Sequence, residues 1–210
     1  MTRIKCCGMT RVEDALLAAR LGADAIGLVF TARSRRQVSL AQAQAIRRAL
    51  PPFVASVALF MDDTPALIAE VIASVNPDLL QFHGQESNAE CAHFGRPYLK
   101  AIAMGDGDAA SRLRDYPGAS ALLLDGHGSG EAGGSGTSFD WTRTPRGLTQ
   151  PLILAGGLRT DNVAVAIRLA RPWAVDVASG VESAPGIKDA AMLSDFVAAV
   201  RAEDARGTQT

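Results

Sequence analysis

Short runs of Val, Ile, Leu and Ala recur along the chain, each closed by a turn and followed by a longer segment with one apolar face. Ile4–Cys7 leads to a helix over Val12–Leu21, stopped by Gly22. Ala25–Phe30 leads to Leu40–Leu50 with Ser39 as cap, and Val54–Phe60 to Thr64–Val75, where Thr64 caps and Pro65 suits the first helical position. Leu79–Phe82 precedes Ser87–Phe94, and Tyr98–Ala103 precedes a weak segment around Ala109–Asp115. After Ala121–Leu124 comes a glycine-rich loop, and the next helix is hard to see beyond Phe139–Trp141. Leu152–Ala155 precedes Thr160–Leu169, and Ala174–Val177 precedes Ala190–Arg201.

That pattern gives eight strand-then-helix units. Short aliphatic strands alternating with helices imply a parallel sheet covered by helices, and eight of them favour closure. The expected fold is α/β, a single-domain (β/α)8 TIM barrel with parallel strands. No linker or composition shift divides the chain, so one catalytic domain is expected over 1–203, with a frayed polar tail over 204–210. The low-complexity stretch GHGSGEAGGSG at 126–136 reads as a mobile loop after strand 6.

Composition narrows the partners. A net charge of −1 without a basic block argues against nucleic acid or an anionic membrane. No apolar stretch reaches the ~18 residues of a membrane span, and three cysteines are too few for a disulfide framework. A cytoplasmic protein with a small-molecule partner is expected. No cofactor and no metal are expected. His83, His93 and His127 make no familiar ligand spacing with Cys6, Cys7 or Cys91, and no GxGxxG joins a strand to a helix.

In such barrels the chemistry sits at the C-terminal strand ends. Loops after strands 7 and 8 carry Gly156, Gly157, Ser179 and Gly180, small residues whose backbone N–H groups can turn toward a phosphate. Tight turns alone would also use glycine, but two such loops on neighbouring strands 7 and 8 match a recurrent phosphate position. Asp125 closes the run ALLLD, where an apolar wall can keep a carboxyl protonated for use as an acid; a turn-forming aspartate before Gly126 is the alternative. Cys7 closes strand 1 as a base, a nucleophile or a buried small hydrophobe. Alternation separates it from its neighbour: Ile4 and Cys6 share one face, Lys5 and Cys7 the other. A lysine is poorly placed between sheet and helices, so Lys5 and Cys7 should face the barrel interior and Cys6 the helices. Lys5 can pair with Asp176 of strand 8, either as a purely structural ion pair or also easing ionisation of Cys7. The Arg33–Arg36 cluster after strand 2 suits a substrate carboxylate, or a solvated loop.

With these residues in place, KCCGMTRVEDA resembles the opening motif of the phosphoribosylanthranilate isomerase family of tryptophan biosynthesis. The resemblance continues through GADAIGLVFTARSRRQVS, LLQFHGQES, LLLDGHGSGEAGGSGTSFDW, LAGGLRTDNV and VDVASGVESAPGIKD, in order along nearly the whole chain. It implies a cofactor-free barrel, monomer or homodimer, that isomerises N-(5′-phosphoribosyl)anthranilate to 1-(2-carboxyphenylamino)-1-deoxyribulose 5-phosphate, an Amadori rearrangement. It places the general base on Cys7, the general acid on Asp125 and the anthranilate-carboxylate arginine on Arg36. It puts phosphate on Gly156, Gly157, Ser179 and Gly180, with Asp176, Lys5 and His83 near the substrate. A related sugar-phosphate isomerase and a catalytically silent phosphate-ligand-binding barrel are the competing readings. Three positions depart from the family pattern: Arg35 stands for a proline, Asp62 for an asparagine, and Thr137 for a long polar residue.

Overall fold

A computed structural model describes residues 1–104, 112–126 and 139–207. The strands β1 (Arg3–Cys6), β2 (Ala25–Val29), β3 (Ala55–Phe60), β4 (Leu79–Phe82), β5 (Tyr98–Ala103), β6 (Ala121–Asp125), β7 (Leu152–Leu154) and β8 (Ala174–Val177) pair in sequence order and close into a parallel barrel. Closure is made by β1 on β8, with Lys5 opposite Asp176. The described α-helices are α1 (Val12–Leu21), α2 (Leu40–Ala49), α3 (Pro65–Val75), α4 (Asn88–Ala92), α5 (Val163–Ala170) and α6 (Ala190–Gly207).

Local chemistry sets the helix ends. Ser39 and Ser87 form full capping boxes with Gln42 and Glu90, and Thr64 caps α3 ahead of Pro65. Gly22 ends α1 in the left-handed conformation that costs glycine least. α5 starts at Val163, later than the expected Thr160. The Asn162 side chain accepts from the Arg159 N–H and donates to the Gly157 carbonyl, which spends the intervening residues on a turn. After β6 the described part of the connection has only a single 3₁₀ turn, Trp141–Arg143. Of the weak segment around Ala109–Asp115 the described part forms a 3₁₀ turn, Leu113–Asp115; residues 109–111 and most of the 126–136 loop lie outside the described residues.

Two expectations are corrected. Beyond β8 the chain forms a small hairpin, β9 (Glu182–Ala184) with β10 (Ile187–Lys188), before α6 begins. The polar end expected to fray from 204 is helical as far as Gly207. There Asp204 accepts from the Thr2 N–H and hydroxyl, and buried Glu203 pairs with Arg168. Residues 208–210 lie outside the described residues.

Strand alternation sorts the core into shells. Ile4, Cys6, Ile26, Leu28, Phe60, Leu80, Phe82, Leu122, Leu124, Val175 and Val177 face the helices. Inside the barrel, Val57, Leu99, Ala101, Leu123 and Ile153 make an apolar lower layer, and Cys7, Val29 and Leu59 a smaller cluster near the C-terminal strand ends. The buried polar groups Lys5, Gln81 and Asp176 also point inward. The apolar lower layer closes one end of the barrel, so the chemistry-bearing side chains open only toward the other.

Candidate active site

A cleft opens at the C-terminal strand ends, where barrels of this kind carry their chemistry. Its walls include Cys7 from β1, Arg36 from the loop after β2, Gln81 and His83 from β4 and its loop, Asp125 from β6, Gly156 and Gly157 after β7, and Asp176 and Ser179 from β8 and its loop.

Cys7 turns into this cleft while Cys6 packs among the outward-facing aliphatics, as alternation requires. Room for the thiol comes from Gly27 of β2. A Cβ at Gly27 would lie 2.7 Å from Cys7 Sγ and 3.0 Å from its Cα. Gly27→Ala is therefore expected to displace Cys7 and lower kcat by about 10- to 100-fold, since sub-ångström misplacement of a reacting group is costly; steady-state kinetics on the folded variant checks this.

Lys5 Nζ lies 2.8 Å from Asp176 Oδ2, both side chains nearly inaccessible. Burial by itself disfavours the Lys5 charge, but Asp176 and then Cys7 outweigh it and push the Lys5 pKa above its ordinary value. Burial pushes the Cys7 thiol up; Lys5 draws it back toward thiolate, Asp176 adds to the rise, and Lys188 opposes it less strongly. The pair is thus both structural and electrostatically coupled to the thiol. Asp176 is also pushed up by burial, partly offset by Lys5.

Across the barrel, Asp125 Oδ2 stands 3.2 Å from His83 Nε2, and the other ring nitrogen of His83 is 3.4 Å from Gln81 Nε2. Gln81 Oε1 and Asp176 Oδ1 are buried acceptors without a hydrogen-bond partner among the described residues. Both residues border the cleft.

Gly156 adopts φ 82°, and a Cβ there would meet the Gly126 nitrogen at 2.4 Å and Asp125 Oδ1 at 2.9 Å. Glycine therefore lets the β7 loop close over the end of β6. At Gly180 a Cβ would meet the Leu158 carbonyl, so glycine there lets the β7 and β8 loops touch beside Gly157 and Ser179, which line the cleft.

Arg36 also borders the cleft, held by Glu182 through Nε and Nη2 at 2.9 and 2.7 Å. Lys188 Nζ, buried, bonds Glu182 Oε1, the Cys7 carbonyl and the Ala178 carbonyl. Neither Glu182 nor Lys188 was singled out from sequence, although Pro185–Gly186 is a turn signal that sets Glu182 and Lys188 on facing strands. Of the family departures, Arg35 is exposed and does not border the cleft. Asp62 pins the β4 loop by accepting from the Gln85 N–H at 2.6 Å. Thr137 lies outside the described residues. Among the described residues no group of three His, Cys, Asp or Glu side chains is placed to hold a metal ion, and no helix is long and apolar enough to cross a membrane.

A closed parallel barrel with titratable groups converging at its C-terminal rim defines a (β/α)8-barrel enzyme. The family model described as N-(5′-phosphoribosyl)anthranilate (PRA) isomerase matches residues 4–199. The chain belongs to that isomerase family. It is 54% identical over 200 residues to the N-(5′-phosphoribosyl)anthranilate isomerase of Pseudomonas paraeruginosa, covering 95% of each chain. It is 52% identical to that of Nitrosococcus oceani, covering 95% of this chain and 97% of that one. The crystal structure of phosphoribosyl anthranilate isomerase from Thermotoga maritima superposes with a TM-score of 0.87 at 38% identity, over 96% of this chain and all of that one.

Proposed function

We propose that the chain isomerises N-(5′-phosphoribosyl)anthranilate to 1-(2-carboxyphenylamino)-1-deoxyribulose 5-phosphate, with Asp125 as general acid and Cys7 as general base. The observation that carries this reading is one cleft lined by Cys7, just past the end of β1, and Asp125 of β6, three strands apart around the barrel, with Arg36, Gly156, Gly157 and Ser179 in the same lining. A related structure with a TM-score of 0.84 and 35% identity, covering 96% of this chain and all of that one, holds reduced 1-(o-carboxyphenylamino)-1-deoxyribulose 5-phosphate. A ligand of that shape suits this cleft.

Arg36 takes the anthranilate carboxylate, and the backbone at Gly156, Gly157, Ser179 and Gly180 takes the phosphate. With both ends fixed, the ribose lies between acid and base. Asp125 delivers a proton to the ring oxygen as the C1′–O bond breaks, and the anilino nitrogen lone pair forms the C=N bond. The resulting iminium acidifies the C2′ proton, which the Cys7 thiolate removes. The product enolamine tautomerises to the ketone. Gln81 Oε1 and Asp176 Oδ1 supply acceptors for sugar hydroxyls, and His83 steadies Asp125 through the Nε2 contact. A cytoplasmic setting accords with three buried free thiols.

Purified protein is expected to extinguish phosphoribosylanthranilate fluorescence in a continuous assay. No turnover at micromolar enzyme would overturn the assignment.

A further inference from the structure

The carboxylate-recognising arginine is not an independent side chain. Its Nε and Nη2 are committed to Glu182, at 2.9 and 2.7 Å, so Nη1 takes no part in that pair. Glu182 is itself pinned: its Oε1 accepts from Lys188 Nζ at 2.8 Å and from the Gly186 N–H at 3.2 Å. Lys188 also donates to the Cys7 carbonyl at 2.7 Å, and its side chain has no exposed surface. The hairpin that carries Glu182 and Lys188 is tied to the β1 loop, where the Thr10 hydroxyl donates to the Gly186 carbonyl, and to the first turn of α1, where Asp14 accepts from the Lys188 N–H. Two cations share one carboxylate, so the cluster keeps a net positive charge beside the cleft.

We propose that Glu182 is a positioning residue for recognition of the substrate carboxylate: it fixes the Arg36 guanidinium in the plane and at the depth that a carboxylate on an aromatic ring must meet. A planar guanidinium discriminates by geometry as much as by charge, and geometry survives only where the stem is immobilised. An arginine with an exposed stem would lose several rotors on every binding event. Here Glu182 has removed that freedom in advance, and Lys188 keeps the Glu182 charge from being a lone buried anion. Through Lys188 the same carboxylate is tied to the backbone of Cys7, so the spacing between carboxylate anchor and base is set by one buried ion cluster.

This inference rests on the assignment of Arg36 to the substrate carboxylate, and the test separates the two. Binding of reduced 1-(o-carboxyphenylamino)-1-deoxyribulose 5-phosphate is measured by calorimetry beside the same compound lacking the carboxyl group. The unaltered protein is expected to prefer the carboxylate compound at least about tenfold. In Glu182→Gln the charge is lost and one of the two acceptor oxygens becomes an NH2 donor facing a cation, so the paired hold on Nε and Nη2 is broken; that preference is expected to shrink about tenfold while affinity for the carboxyl-free compound changes less than about threefold. Glu182→Asp keeps the charge but is one methylene shorter, so it should show the same loss in smaller measure. It also serves if the glutamine variant does not fold. A folded Glu182→Gln or Glu182→Asp protein with the full preference overturns the proposal while leaving the Arg36 assignment standing. Equal loss of affinity for both compounds also overturns it, since that is a merely structural role. An unaltered protein indifferent to the carboxyl group overturns the Arg36 assignment and this inference together.

Discussion

Cys7→Ser is expected to lower kcat by about 10³-fold or more, with KM nearly unchanged and the fold intact. The reasoning is specific to the thiol. A serine hydroxyl is close in size, so the space left by Gly27 is still filled and the barrel floor does not collapse. Its oxygen is a far weaker acid than a thiol, however, and the charge of Lys5 alone does not make it an alkoxide near neutral pH. General base catalysis contributes about 10²- to 10⁴-fold. The loss should therefore fall on the chemical step, because Cys7 removes a proton and anchors neither end of the substrate. Cys6→Ala is the internal contrast: that thiol packs among the outward-facing aliphatics, so activity should persist. Single-turnover fluorescence decay on both variants decides the matter. A fast Cys7→Ser protein would remove the thiol from the mechanism.

The second large effect is on stability. Lys5→Met is expected to cost about 3–5 kcal/mol near neutral pH, because it leaves the buried Asp176 carboxylate without its cation. The pH dependence has a definite sign. Burial raises the Asp176 pKa in the folded protein, and removing Lys5 takes away the group that restrains that rise. A carboxyl with a folded pKa above its unfolded value binds more protons in the native state. Stability then falls as pH rises from the unfolded value, about 3.9, through the folded one. The deficit of Lys5→Met should thus shrink as pH is lowered through that window. Urea denaturation at a series of pH values measures it, and a deficit that grows on acidification would contradict the buried-anion account. The double variant Lys5→Met with Asp176→Leu should regain much of the loss, since an apolar pair of similar volume can replace a buried ion pair.

Much of the fold is local and was therefore legible. Eight aliphatic runs, each followed by a capped amphipathic segment, require a helix-covered parallel sheet, and their number closes it. Alternation alone separated Cys6 from Cys7, because a strand cannot send adjacent side chains to the same face. The same rule placed Lys5 beside Asp176. The accompanying premise, that a lysine is poorly placed between sheet and helices, fails at Lys100 of β5, which points outward and is buried. There Lys100 Nζ donates to the Gly84 carbonyl and to Glu86 at 2.8 Å, so a lysine is tolerated on that face where the β4 loop brings it partners. Arg36 could be singled out from its motif, but not its orientation.

What the sequence by itself determined is the set of elements, their order and the face on which each strand residue falls, since period-two and helical patterns and end caps act over a few residues. Apart from Lys5 with Asp176, only the tertiary structure decided the pairs. Asp204 meets Thr2 and extends the last helix past its expected end; His83 meets Asp125; Glu182 meets Arg36, 146 residues away in the chain. The close approach of Gly180 to the Leu158 carbonyl arises for the same reason. Such contacts depend on where barrel closure brings distant loops, and no local pattern encodes that distance.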